Sequence, residues 1–113
     1  MDFEKLEVWK RACRISVEIY QTLRELKDFG FKDQITRSSL SVASNISEGM
    51  VRPTANDKIR FLHIANGSCA ELRTQAYIGI TIGYIPEDVG RKWVRETKEI
   101  SAMLMGLVKK LRD

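Results

Sequence analysis

The sequence is poor in the residues that build reactive centres. His63 is its one histidine, so a histidine-based metal site is excluded, and no serine or cysteine motif accompanies it for nucleophilic chemistry. Its two cysteines, Cys13 and Cys69, are far apart and form no CxxC pair. That spacing argues against a zinc ribbon or a redox motif and fits two buried thiols in a reducing compartment. A di-iron bundle needs Glu-x-x-His pairs, but Glu71 is followed by Leu72-Arg73-Thr74 and Glu48 by Gly49-Met50-Val51. Glycine-rich phosphate loops and paired catalytic carboxylates are also missing. No enzyme, cofactor or metal is expected.

Long apolar runs are equally scarce. The longest uncharged stretch, Thr74–Pro86, falls short of the ~20 residues that a membrane span requires. The segment Met1–Lys10 carries Asp2, Glu4 and Glu7 and does not read as a signal peptide. A soluble, cytoplasmic protein without a membrane partner is the expectation. Proline is confined to Pro53 and Pro86, which leaves long uninterrupted segments for helices.

What remains is an ordinary globular balance of 43% hydrophobic and 30% charged residues over 113 positions, enough for one domain spanning residues 1–113. The net charge is +4 and unevenly spread. Residues 1–50 hold eight basic and eight acidic side chains, whereas residues 51–113 hold eleven and seven.

A helical period runs through most of the chain. The first helix is expected over about Glu4–Leu26, with Val8, Ala12, Ile15, Ile19, Leu23 and Leu26 as one apolar stripe. Beside it lies a second stripe of Trp9, Cys13, Ser16 and Tyr20. Lys27–Lys32, with Gly30, reads as a turn, and the second helix as Asp33 (N-cap) to Gly49 (C-cap). That helix is rich in serine and alanine and nearly free of charge, which suits an interior position. After a loop containing Pro53, with Thr54 or Asn56 as cap, a third helix is expected over Ala55–Ile82. Pro86-Glu87-Asp88 opens a fourth that reaches Leu111. Short connections between long helices predict an all-α, up-down-up-down antiparallel four-helix bundle.

Three residue groups are candidates for function. On the second helix Gln34, Ser38 or Ser41, Asn45 and Glu48 make one polar strip, and Ser68, Glu71 and Gln75 make another on the third. Packed together, Asn45, Glu48, Ser68, Glu71 and Gln75 would form a buried, hydrogen-bonded network that fixes helix register, or alternatively a ligand site. On the fourth helix Arg91, Arg95 and Lys98 recur at i, i+4 and i+7 opposite Trp93, and Lys109 rejoins that face. They are candidates for contacts to an RNA or DNA backbone, with Lys10 and Arg14 as second choices. No aromatic is interleaved, so base stacking is not indicated. Finally, the second stripe of the first helix, centred on Trp9, Cys13 and Tyr20, exceeds what one bundle core can use. Its expected cover is another copy of the chain.

The segments Leu6-Glu7-Val8-Trp9, Ser44-Asn45-Ile46-Ser47-Glu48-Gly49 and Gly67-Ser68-Cys69-Ala70-Glu71-Leu72-Arg73-Thr74-Gln75 resemble the small bacterial proteins encoded in intervening sequences of 23S ribosomal RNA genes. The similarity covers nearly the whole chain. Two departures are visible: Lys27-Asp28-Phe29-Gly30-Phe31 lacks the proline usual in the first turn, and Thr36-Arg37 replaces a usual Arg-Arg pair. The resemblance implies a four-helix bundle that forms a homopentamer around a central channel. A relative in that family, the accessory protein of diversity-generating retroelements, binds a reverse transcriptase and nucleic acid. The resemblance therefore implies a nucleic-acid-binding accessory role, or alternatively a scaffold that engages one protein partner.

Overall fold

The computed structural model describes residues 2–113. A single 3-10 turn, Phe3–Lys5, leads into four helices: α1 (Glu7–Thr22), α2 (Phe29–Met50), α3 (Ala55–Thr81) and α4 (Glu87–Arg112). Each helix packs against the next in sequence and α1 returns to α4, while the backbones of the diagonal pairs stay apart. The result is an antiparallel four-helix bundle of square section, 44 × 20 × 20 Å.

The core follows the expected stripes. Val8, Ala12, Ile15, Ile19 and Leu23 are buried, together with Ile35, Val42 and Ile46 of α2, Leu62, Ala65, Leu72 and Ala76 of α3, and Trp93, Ile100 and Leu104 of α4. Trp93 is almost wholly enclosed, and its indole N–H donates to Glu18 Oε1 at 3.2 Å. A buried indole needs such a partner to avoid losing its hydrogen bond to water.

The helix ends depart from the sequence reading in three places. α1 is shorter than Glu4–Leu26. Leu6 is extended, and Phe3 folds back to meet Trp9 edge-on at 5.3 Å between ring centroids. The N-cap of α2 is Asp28, not Asp33, and Gly30 lies inside the helix. Asp28 Oδ1 accepts from the Phe31 N–H at 3.1 Å and Oδ2 accepts from the Tyr84 hydroxyl at 2.8 Å. One carboxylate thus satisfies a free helix donor and ties the start of α2 to the α3–α4 loop. Both hydrogen bonds favour the ionised form, the Phe31 N–H first, and hold the Asp28 pKa below its ordinary value. Asp33 pairs instead with Arg37 one turn on, at 2.9 Å. Third, α2 does not stop at Gly49 but continues to Met50.

Gly49 has a different task. A Cβ there would stand 2.7 Å from Phe61 Cβ and 3.2 Å from the Lys58 carbonyl, so its bare backbone is what lets α3 approach α2. The remaining ends match their residues. Thr54 caps α3 by accepting from Asp57 N–H at 3.2 Å. Gly83, at φ 80°, closes the same helix in a left-handed turn, with Gly83 N–H bonding the Ile80 carbonyl and Tyr84 N–H the Gly79 carbonyl.

α1 is held to α4 by charge as well as by the core. The Arg11 guanidinium grips Glu96 through Nε at 2.7 Å and a terminal nitrogen at 2.9 Å, and reaches Glu99 at 2.5 Å. Lys92 reaches Glu18 at 3.2 Å. Across the opposite seam Ser16 and Ser39 share a buried hydrogen bond of 3.0 Å that joins α1 to α2.

Gly49→Ala is expected to cost about 1–3 kcal/mol, because the new methyl meets backbone and a Cβ rather than a flexible side-chain end. Gly106→Ala, where nothing lies within 4 Å, should raise stability by about 0.5–1 kcal/mol through helix propensity. Thermal unfolding of the two variants checks both signs.

Candidate nucleic-acid interface

The outward ridge of α4 carries Arg91, Arg95, Lys98 and Lys109, all exposed. Arg91 is partly engaged: its Nε lies 3.7 Å from Glu87, and its guanidinium sits 5.8 Å from the centroid of the Tyr77 ring. Arg95, Lys98 and Lys109 have no carboxylate within 4.0 Å among the described residues. Since α4 rises ~1.5 Å per residue, the ridge from Arg91 to Lys109 runs along most of the bundle. A row of free cations on a rigid helix can follow a phosphate backbone and displace its counterions.

Lys10 and Arg14 do not join that ridge. They lie on α1, separated from it by the seam in which Glu96 and Glu99 face Arg11. Lys10 is exposed, whereas Arg14 pairs with Glu7 at 3.5 Å. Arg14 borders a small groove of about 220 Å³ with Arg11, Glu18, Lys92, Trp93 and Glu96, whose mixed charge gives an anion little preference.

The polar strips of α2 and α3 meet, but without their carboxylates. Ser41 and Ser68 hydroxyls lie 2.9 Å apart, Asn45 Nδ2 donates to both the Ser41 carbonyl and its hydroxyl at 2.9 Å, and Ser38 donates to Gln75 Oε1 at 2.5 Å. Glu48 and Glu71, expected in the buried network, are exposed on the chain. Glu48 instead pairs with Arg52 at 2.9 Å. The physical reason is desolvation: hydroxyls and amides can saturate one another in a half-buried seam, but an ionised carboxylate there would lack a cation. No three His, Cys, Asp or Glu side chains come together to hold a metal among the described residues, and His63 is exposed.

The second stripe of α1 is covered unevenly. Trp9 and Cys13 are half-buried by the chain itself, Trp9 partly by Phe3, while Tyr20 is 45% exposed. Sequence reasoning missed the neighbours that make this an apolar surface. Val17 on α1 is 54% exposed and Leu40 on α2 is 50% exposed, on the same side of the bundle. Their helix positions, between the core and the polar faces, could have pointed to them. An open groove of about 680 Å³ lies at the end of this side where α1 finishes and α2 begins, lined by Tyr20, Arg24, Phe29, Gly30, Lys32, Asp33 and Thr36. Also missed was a cation inside the α3–α4 seam, for which no sequence signal exists. Arg73 donates to the Thr97 hydroxyl at 3.1 Å and carbonyl at 3.2 Å and to Ser101, which itself donates to Asn66.

Comparison with known proteins decides the family. The model of the 23S rRNA-intervening sequence proteins matches residues 4–106. The chain belongs to this family. A similar solved structure is that of a protein of unknown function from the S23 ribosomal protein family of Bacteroides thetaiotaomicron, which is 27% identical. It superposes with a TM-score of 0.84 over 90% of this chain and 98% of its own length. No curated protein matches the sequence. No helix of this family member is long and apolar enough to cross a membrane among the described residues.

The α1–α4 seam has a titratable signature. Arg11, chiefly through its hydrogen bonds, holds the Glu96 pKa below the ordinary value of 4.5, and the Arg11 pKa is raised in turn. A carboxylate with a depressed folded pKa contributes stability that is present above its unfolded pKa and is lost as pH falls through the folded one. Arg11→Met should therefore destabilise the protein clearly at pH 7, by an amount that shrinks as pH falls through the depressed folded pKa of Glu96. Urea titrations of the two proteins across that range check it; a pH-independent difference would mean that the pair contributes no electrostatic stability.

Proposed function

We propose that this chain is a non-enzymatic, homo-oligomeric accessory protein whose α4 ridge holds the backbone of RNA or DNA. The carrying observation is that ridge: Arg95, Lys98 and Lys109 stand exposed with no carboxylate against them among the described residues, while the acidic residues of α4 gather at its first turn and on the side facing α1. A free cation costs little to place against phosphate, because no internal ion pair is broken. The charge of +4 per chain is modest. Repetition in an oligomer multiplies the field, and five copies, the number that the family resemblance implies, is the assembly proposed. Membership in a family named for intervening sequences of 23S rRNA is in keeping with an RNA partner.

The ridge carries phosphates without reading bases. It has no interleaved aromatic, and the Tyr77 ring beside it is taken up by Arg91. Binding is therefore electrostatic and indifferent to sequence. A structured RNA and a random duplex should both bind at low salt, with log affinity falling linearly in log salt. Arg95→Glu with Lys98→Glu should weaken both, and neutral substitutions there should lower the slope by about one for each phosphate left without its cation. Filter binding or fluorescence anisotropy across a salt series measures this. If affinity is absent at low salt, or is unchanged by the double reversal, the protein is a scaffold for a protein partner instead.

A further inference from the structure

We infer that Arg73, on α3, seats one phosphate of the bound backbone in the seam between α3 and α4, through an oriented guanidinium and not through charge alone. This rests on the nucleic-acid reading of the α4 ridge and adds a contact from a second helix. Arg73 is half-buried. Its Nε donates to the Thr97 hydroxyl at 3.1 Å, and Nη2 donates to the Thr97 carbonyl at 3.2 Å and the Ser101 hydroxyl at 3.4 Å. All three acceptors are neutral. The other terminal nitrogen, Nη1, donates to nothing among the described residues and is open to solvent.

The opposite seam of α4 treats its arginine differently. There Arg11 meets Glu96 at 2.7 Å and Glu99 at 2.5 Å. Arg73 has no carboxylate within 4.0 Å among the described residues. Glu71 stands two positions before it in the sequence, on another side of the helix. Arg73 is thus a cation that has lost part of its hydration and gained no counter-charge. An arriving anion offsets that penalty without breaking an ion pair, which Arg11 cannot offer.

The surroundings fit a backbone phosphate. Thr97 and Ser101 flank Lys98 in sequence, so Arg73 meets α4 at the level of Lys98, in the middle of the cationic ridge. One turn along α3, Tyr77 is 40% exposed, with Arg91 against its ring and no partner for its hydroxyl among the described residues. That hydroxyl is a further donor to phosphate, while the occupied ring leaves base stacking aside. Among the described residues, Glu87 is the one carboxylate held against a cation of this face, 3.7 Å from Arg91. A strand that follows the ridge therefore passes Arg73 on one flank and Lys98 on the other. Ser101 in turn donates to Asn66, so the plane of the guanidinium is set before a phosphate arrives. A lysine ammonium at the same place would carry the charge without that fixed direction.

Two substitutions separate charge from orientation. Arg73→Lys keeps the charge, and Arg73→Met keeps the alkyl stem alone. The Thr97 and Ser101 hydroxyls still donate to the Val94 carbonyl and to Asn66, so both variants should retain the helical circular dichroism of the wild type. Fluorescence anisotropy with one duplex sequence, made as RNA and as DNA, then gives affinity and salt slope. Arg73→Met should lower affinity about tenfold and the slope by about one, whereas Arg73→Lys should lower affinity severalfold with the slope unchanged. A loss on one duplex alone also supports the site and names the backbone it serves. Arg73→Lys binding as tightly as the wild type overturns the oriented contact, and an unchanged slope in Arg73→Met leaves Arg73 a strut between helices. Should Arg73→Met fail to fold, the affinity of Arg73→Lys decides. A wild type that binds neither duplex would instead refute the reading of the α4 ridge itself.

Discussion

The fold depends on how closely α2 can approach its neighbours. Along its seams with α1 and α3 it places small or hydroxyl-bearing residues: Ser39 meets Ser16 of α1, Ser41 meets Ser68 of α3, and Gly49 lets Phe61 lie against its backbone. A helix built of large side chains would push α1 and α3 apart and open the core around Ile35, Val42 and Ile46. The hydroxyls are tolerated at these depths because they bond one another or a carbonyl of the preceding turn, as Ser39 does to Thr36. The same economy leaves α2 with little bulk of its own on its outer side. What apolar surface stands there comes mostly from the flanks, Val17 and Tyr20 of α1 and the isoleucines of α3.

Much of this is legible in the sequence, and the reason is period. Four segments of repeating apolar residues, two prolines, and capping residues at Thr54 and Pro86 define four helices and their order. The stripe from Val8 to Leu23 is the core face of α1 as its spacing implies. The start of α2 is not legible. Phe29-Gly30-Phe31 reads as a turn because of its glycine, yet Asp28 caps the helix just before it, helped by Tyr84 from 56 positions away. A local pattern cannot anticipate a tertiary hydrogen bond.

The candidate sites divide in the same way. The cationic ridge of α4 is legible because exposure follows directly from standing opposite a clean apolar stripe. The polar strips are legible in direction but not in depth: a helical wheel puts Glu48 and Glu71 beside Asn45 and Gln75, but it cannot say that the seam is open on that side. Arg11 with Glu96 and Glu99 is invisible, since it joins residues 85 and 88 positions apart. The family itself is legible from the Ser-Asn-Ile-Ser-Glu-Gly and Gly-Ser-Cys-Ala-Glu-Leu blocks, which supply small and hydroxyl residues of the α2–α3 seam.

The homo-oligomer proposed for this chain requires cover in solution for the apolar side chains that flank α2, a demand that the α3–α4 side with Tyr77 does not share. Hydroxyl-radical footprinting of the wild-type protein reads this side chain by side chain. Tyr20, Leu40 and Ile78 are 45–50% exposed on the single chain, comparable to Tyr77 on the open side at 40%. The account predicts that Tyr20, Leu40 and Ile78 are strongly protected relative to the rates expected from those exposures, with Tyr77 reacting at the rate its own exposure implies. Equal reactivity of Tyr20 and Tyr77 at micromolar concentration, with Leu40 and Ile78 unprotected, would contradict it.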